Sequence, residues 1–173
     1  MASGPRLARR PHTAYSAAKF AVKGFTEALV NDLRNNAPHV KCSVVMPGHI
    51  GTAIVANSRK VLSGDDSDTL SPAMLASARK RISALGMDAS ALSDDAIQAM
   101  VKEQARAFEE DAPTTAAQAA RIILDGVKAE RWRILVGDDA HTMDEFVRSE
   151  PENAYEPDFF ERMTKANGWR LGR

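Results

Sequence analysis

Cysteine is nearly missing from this chain. Cys42 stands alone among 173 residues, which excludes an intrachain disulfide and a cysteine metal cluster and makes the reducing cytoplasm the default compartment. An excess of either charge is missing too. Lys plus Arg equals Asp plus Glu at 23 each, so the chain lacks the basic footprint of a nucleic-acid binder or a polybasic membrane anchor. No apolar run approaches the roughly 20 residues that span a bilayer. Histidine is sparse, and His12, His39, His49 and His141 show neither i,i+4 pairing nor clustered carboxylate partners suited to a metal. The cluster Asp65, Asp66 and Asp68 lacks the later ligands and closing glutamate of a calcium loop. These absences predict a soluble, cytoplasmic protein without nucleic-acid, membrane or metal partners, and they favour small-molecule ligands.

What is present reads as one domain with a hydrophobic core, at 44% hydrophobic residues. Tyr15, Ala18, Val22, Phe25, Leu29 and Leu33 recur at three- and four-residue steps and predict an amphipathic helix from His12 to Asn36. Ala17, Ala21, Gly24 and Ala28 form a small-residue stripe on the same helix, so two faces expect partners; Lys23 and Glu27 are spaced to pair. Asn35, Asn36 and Pro38 stop the helix, and Val40 to Met46 reads as a buried strand with Cys42 packing as a small hydrophobe. From Ala53 to Pro113 charged helical segments form an excursion with no second core. Ser71-Pro72 and Ser93-Asp94-Asp95 begin two of its helices. Thr114 or Thr115 then caps a helix through Lys128, Trp132 to Val136 reads as a strand closed by Gly137, and helical pieces at Thr142 to Arg148 and after Pro157 form a docking tail. Strands alternating with helices predict an α/β fold with two parallel strands side by side. Two strands make a poor parallel sheet alone, so the fold expected is a partial, helix-rich, doubly wound domain. Its divisions are 1–52, 53–113 and 114–173.

The chemistry lies in Ala14-Tyr15-Ser16-Ala17-Ala18-Lys19-Phe20-Ala21-Val22, followed by Gly24-Phe25-Thr26-Glu27, a strand, Met46-Pro47-Gly48 and Thr52. A free phenol titrates near ~10 and is a poor acid or base at neutral pH. An ammonium one helical turn away favours the phenolate and adapts the pair to proton transfer. In this order and spacing the residues resemble the short-chain dehydrogenase/reductase family, over nearly the whole chain and most specifically from Ala14 to Thr52.

The resemblance implies a Rossmann-like fold and an NAD(P)-dependent oxidoreductase acting on a carbonyl or secondary alcohol. It gives Tyr15 the proton exchange with the substrate oxygen and Lys19 the nicotinamide ribose hydroxyls. Pro47 and Gly48 become the turn against the nicotinamide, with the Ile50 amide reaching the carboxamide and the Thr52 hydroxyl reaching carboxamide or phosphate. The segment after that turn becomes the substrate lid, and the Tyr15 helix a surface for homo-oligomers. Ser3, twelve residues before Tyr15, is the candidate for the serine that orients the substrate oxygen, although the family's usual spacing is one residue longer and falls on Ala2.

The chain also departs from the family. No Gly-x-Gly occurs in it, so the glycine-rich loop that seats pyrophosphate at a helix N-terminus has no counterpart. The expectation is therefore a catalytic and lid half that is inactive alone, its short start being natural, engineered or a misread gene start. Arg6, Arg9 and Arg10 without an acid have the composition of a transit peptide, a minority reading because cleavage would fall almost against Tyr15. A non-catalytic, helix-mediated interaction module is the alternative function.

Overall fold

The computed structural model describes residues 13–64, 69–84 and 86–167. They form a helix-rich α/β fold, and its contacts divide into two compact units, one of Ala53–Glu109 and one of Thr13–Thr52 with residues 110–167.

The second unit is built on two strands, β1 (Val44–Pro47) and β4 (Arg133–Val136), which pair in parallel with Val44 opposite Arg133 and Pro47 opposite Val136. This is the side-by-side parallel arrangement that the alternating pattern predicts, consistent with part of a Rossmann-like sheet. The first strand is shorter than the predicted Val40 to Met46. The Val40 amide donates to the Ala37 carbonyl at 2.9 Å in the turn that leaves the preceding helix, so residues 37–40 are committed to that turn. Pairing begins only where the Val44 amide donates to the Trp132 carbonyl at 2.8 Å. A second parallel pair, β2 (Ile50–Gly51) with β3 (Thr114–Thr115), was not expected, being too short to leave a period in the sequence.

Helix α5 (Ala116–Lys128) covers the sheet. Thr115 is its N-cap: the Thr115 hydroxyl accepts from the Gln118 amide at 3.2 Å, and the Gln118 side chain accepts from the Thr115 amide at 2.9 Å, satisfying two otherwise orphaned donors. Its neighbour Thr114 is buried instead. Ala119, Ile134 and Val136 form the core of this unit, with Ile50, Ile122 and Ile123 packed against them. Burying a side chain of the size of Ile134 or Val136 contributes about 1.5–3 kcal/mol. Gly126 permits the close approach of α5, since a Cβ there would stand 2.6 Å from Ile134 Cδ1.

The chain leaves β4 through Gly137 into α6 (Asp138–Ser149), one turn earlier than the predicted start at Thr142. Helix α7 (Phe159–Asn167) docks on it through buried Phe159 and Met163 and an edge-to-face contact of Phe146 with Phe159, ring centroids 5.7 Å apart. The apolar tail read from Phe159 and Met163 is thus a packed element.

Helix α1 (Thr13–Asn36) has the predicted span to within a residue, but none of its residues is buried. Tyr15, Val22 and Phe25 are 63%, 59% and 68% exposed, so the first half of the stripe expected to face a core faces outward, while Leu29 and Leu33 are half-buried. The small-residue stripe is likewise open, with nothing within 4 Å of a Cβ built on Gly24. The Lys23–Glu27 pair forms at 2.8 Å.

Residues 53–109 differ from expectation in having a core of their own. The unit holds α2 (Ile54–Ser63), α3 (Pro72–Ala84) and α4 (Asp94–Glu110); a 3-10 turn at Ala89–Ala91 lies between α3 and α4, and Ala78, Ile82, Ala89 and Ile97 form a buried cluster. Each apolar stripe is narrow in the sequence, but α3, the 3-10 turn and α4 pool theirs. Polar groups finish the packing: Arg79 donates to the Ala89 carbonyl at 2.7 Å and pairs with Asp94 at 2.6 Å, and Gln98 accepts the Leu70 amide at 3.0 Å.

Asp144 of α6 braces β4 by pairing with Arg133, and it also receives Arg148 at 3.1 Å. Burial pushes its carboxyl upward, but hydrogen bonds and charge from Arg133 and Arg148 outweigh this and hold it below the ordinary value of 3.8. The unfolded chain therefore takes up a proton at Asp144 at higher pH than the folded chain does. The brace is fully present above the ordinary value and fades as pH falls through the lower folded-state value. Asp144→Asn is expected to lower the melting temperature at pH 7, with the difference from the parent shrinking steadily below about pH 4, as measured by thermal melts across pH.

Candidate active site

Two groups of predicted site residues lie on separate elements of the same unit. The first is on α1, where helical geometry sets Tyr15 and Lys19 one turn apart on one face. The Lys19 ammonium stands over the phenol ring, 5.4 Å from its centroid, within cation–π range. Both residues are exposed, so a ligand can reach them. Ser3 lies outside the described residues.

The second group is the turn between β1 and β2. Pro47 ends β1 and is exposed, while Gly48, His49, Ile50 and Thr52 are half-buried. The Gly48 amide donates to the Val136 carbonyl at 2.9 Å, extending the β1–β4 ladder by one bond. Ile50 sends its side chain into the core formed by Ala119, Ile134 and Val136, and its backbone belongs to β2. The turn lies beyond the carboxyl end of a parallel strand, where open α/β sheets gather their ligands.

Asp139 of α6 is the functional-site neighbour that sequence reasoning missed. It is buried, and its carboxylate accepts from the His49 amide at 2.5 Å and from the Ala140 amide at 3.0 Å. A Cβ built on Gly48 would fall inside that carboxylate. Gly137, at φ 96°, is held by the same group: a Cβ there would meet Asp139 Oδ1 at 2.6 Å and Thr114 Oγ1 at 2.7 Å. The available signal was Gly137-Asp138-Asp139 itself, a glycine followed by two acids, which marks a helix N-terminus.

A cleft of about 290 Å³ opens nearby, with Thr114, Gln118, Arg121, Gly137 and Asp138 in its wall. None of Tyr15, Lys19, Pro47, Gly48, Ile50 and Thr52 lines it.

The parallel α/β unit thus carries a tyrosine–lysine pair on an exposed helix and a Pro-Gly turn at a strand end. The family model for short chain dehydrogenase matches residues 5–63. Two curated relatives, both named "Putative oxidoreductase SadH", from Mycobacterium tuberculosis strains CDC 1551 / Oshkosh and ATCC 25618 / H37Rv, are each 47% identical over 57 residues, which is 33% of this chain and 20% of the relative. The chain thus matches about a fifth of the length of those relatives. No solved structure matches it. The stretch that carries Tyr15, Lys19 and the Pro-Gly turn is thus similar to short chain dehydrogenases.

Residues as exposed as Tyr15 and Lys19 contribute little to stability. Tyr15→Phe and Lys19→Met are each expected to change the unfolding free energy by less than about 0.5 kcal/mol, measured by urea denaturation. A loss above about 2 kcal/mol for either would make the pair a structural feature.

Proposed function

We propose that the chain carries the proton-transfer residues and the nicotinamide side of an NAD(P)-dependent oxidoreductase acting on a carbonyl or secondary alcohol. The observation that carries this reading is the Tyr15–Lys19 contact on an exposed helix face, inside the stretch that matches the family. A bound nicotinamide supplies or accepts the hydride. Tyr15 gives its hydroxyl proton to the oxygen of a carbonyl being reduced, and takes it back when an alcohol is oxidised. Lys19 keeps positive charge beside the phenolate that forms and binds the ribose hydroxyls. Pro47, Gly48, Ile50 and Thr52 make the loop that receives the carboxamide.

The fit to the cofactor is one-sided. The nicotinamide end has accessible donors in Tyr15 and Lys19, whereas for the pyrophosphate end this sequence has no Gly-x-Gly. Serine at position 3 and a lid role for residues 53–113 rest on the resemblance alone. The chain by itself is expected to give no saturable rise in NADPH fluorescence. Fused behind a glycine-rich dinucleotide-binding half of the same family, it is expected to bind NADPH and turn over, and Tyr15→Phe then lowers turnover by roughly 10² to 10⁴. Tight NADPH binding by the unfused chain overturns the one-sided reading, and full activity of the Tyr15→Phe fusion overturns the proton-transfer role.

The exposure of Tyr15, Phe20, Val22 and Phe25 favours a second reading, a non-catalytic module that associates through α1. It requires a discrete homodimer in size-exclusion chromatography, unchanged by NADPH and dissociated by Phe25→Glu. A monomer at micromolar concentration removes it.

A further inference from the structure

Asp139 is the one charged side chain buried among the described residues. A carboxylate withdrawn from water is costly unless its oxygens are hydrogen-bonded, and two backbone amides explain its place. One is the Ala140 amide in the first turn of α6, where the helix dipole favours negative charge. The other is the amide of His49, ninety residues away in the chain, at 2.5 Å. Two glycines answer to the same side chain: Gly48, whose Cβ position the carboxylate fills, and Gly137, whose Cβ would collide with Asp139 Oδ1 and Thr114 Oγ1.

We propose that Asp139 is a positioning residue that fixes the course of the Pro47–Gly48–His49 turn and so the direction in which the following backbone meets a nicotinamide. The assignment to the nicotinamide rests on the function proposed above; the hold on the turn does not. Two donors define the exit from β1. The Gly48 amide bonds to Val136 and sets the height of the turn, and the His49 amide bonds to Asp139 and sets its rotation. With the second bond removed, the His49 amide loses its Asp139 acceptor while the β1–β4 ladder remains. Asp139 touches no reacting atom and acts only through the turn.

The hold is tested on the chain as it stands, by amide hydrogen exchange and thermal melting. In Asp139→Ala the His49 amide is expected to exchange at least about tenfold faster, with the Val44 and Gly48 amides unchanged. Asp139→Asn keeps the shape and one carbonyl acceptor and is expected to retain part of the His49 protection. Gly48→Ala is expected to lower the melting temperature steeply in the parent and by roughly half as much or less in the Asp139→Ala background, because the clashing group is gone. Unchanged His49 exchange in Asp139→Ala, equal acceleration at Val44 and Gly48, or additive effects of the two substitutions each overturn the proposal.

In the fusion described above, Asp139→Ala is expected to raise KM for NADPH by about 10-fold or more with a smaller change in kcat. An equal fall of kcat at constant KM overturns the positioning role. A parent fusion without turnover defeats the proposed function and leaves the exchange result to decide the hold on the turn.

Discussion

Four residues of parallel pairing between β1 and β4 hold the sheet-containing unit together, joining segments almost ninety positions apart in the chain. A parallel ladder needs a long crossover, and here that crossover includes α2 to α5 before the chain returns at Arg133. The ladder is prolonged at both ends by single bonds, from the Ser43 hydroxyl to the Arg131 carbonyl at 2.7 Å and from the Gly48 amide to the Val136 carbonyl at 2.9 Å. Everything assigned a role nearby hangs from it. The Pro-Gly turn is where β1 ends, α6 begins where β4 ends, and Asp139 reaches from one to the other. The Arg133–Asp144 pair repeats that join one turn further along α6, so α6 is tied both to its strand and to the loop beside it.

Burial is distributed unevenly around this ladder. α5 covers it with a fully apolar contact and α7 seals α6, but α1 keeps large aromatic and aliphatic side chains in contact with solvent. An amphipathic helix draws most of its stability from packing of its apolar face, and in α1 that packing is confined to the C-terminal half, where Leu29, Val30 and Leu33 are half-buried. Its local supports are modest, the Lys23–Glu27 pair and side-chain bonds such as Thr26 Oγ1 to the Val22 carbonyl at 2.8 Å. Exposure of the same face also leaves Tyr15 and Lys19 accessible, which a proton-transfer pair requires and a core residue does not.

The sequence made those elements legible whose physics is local. The α1 period, the serine cap before Pro72, the acid-rich start at Asp94 and the capping box at Thr115 each act within a few residues, and each element formed close to its expected bounds. The Tyr15–Lys19 contact was legible for the same reason, since i,i+4 spacing on a helix is a distance. What could not be read depended on partners far along the chain. Val40 looks like strand by composition, yet no segment pairs with it and a turn takes its amide. The narrow stripes of α3 and α4 looked too thin for a core until the 3-10 turn at Ala89 joined them. Gly137-Asp138-Asp139 marks a helix N-terminus, but nothing in it names His49 as a partner of Asp139.

Gly48 illustrates the difference between a residue type and its cause. From the resemblance, the glycine lets a cofactor come close to the backbone. In the structure its Cβ direction is already filled by the Asp139 carboxylate, so an alanine there is excluded by the protein itself before any ligand is considered. The two explanations concern opposite sides of one Cα atom. With Asp139 occupying the side where a Cβ would project, a ligand meets this residue only from the other face of the turn, or along the peptide edges not committed to Val136 and Asp139. The carboxylate behind Gly48 is therefore a reason for glycine at this position that needs no ligand.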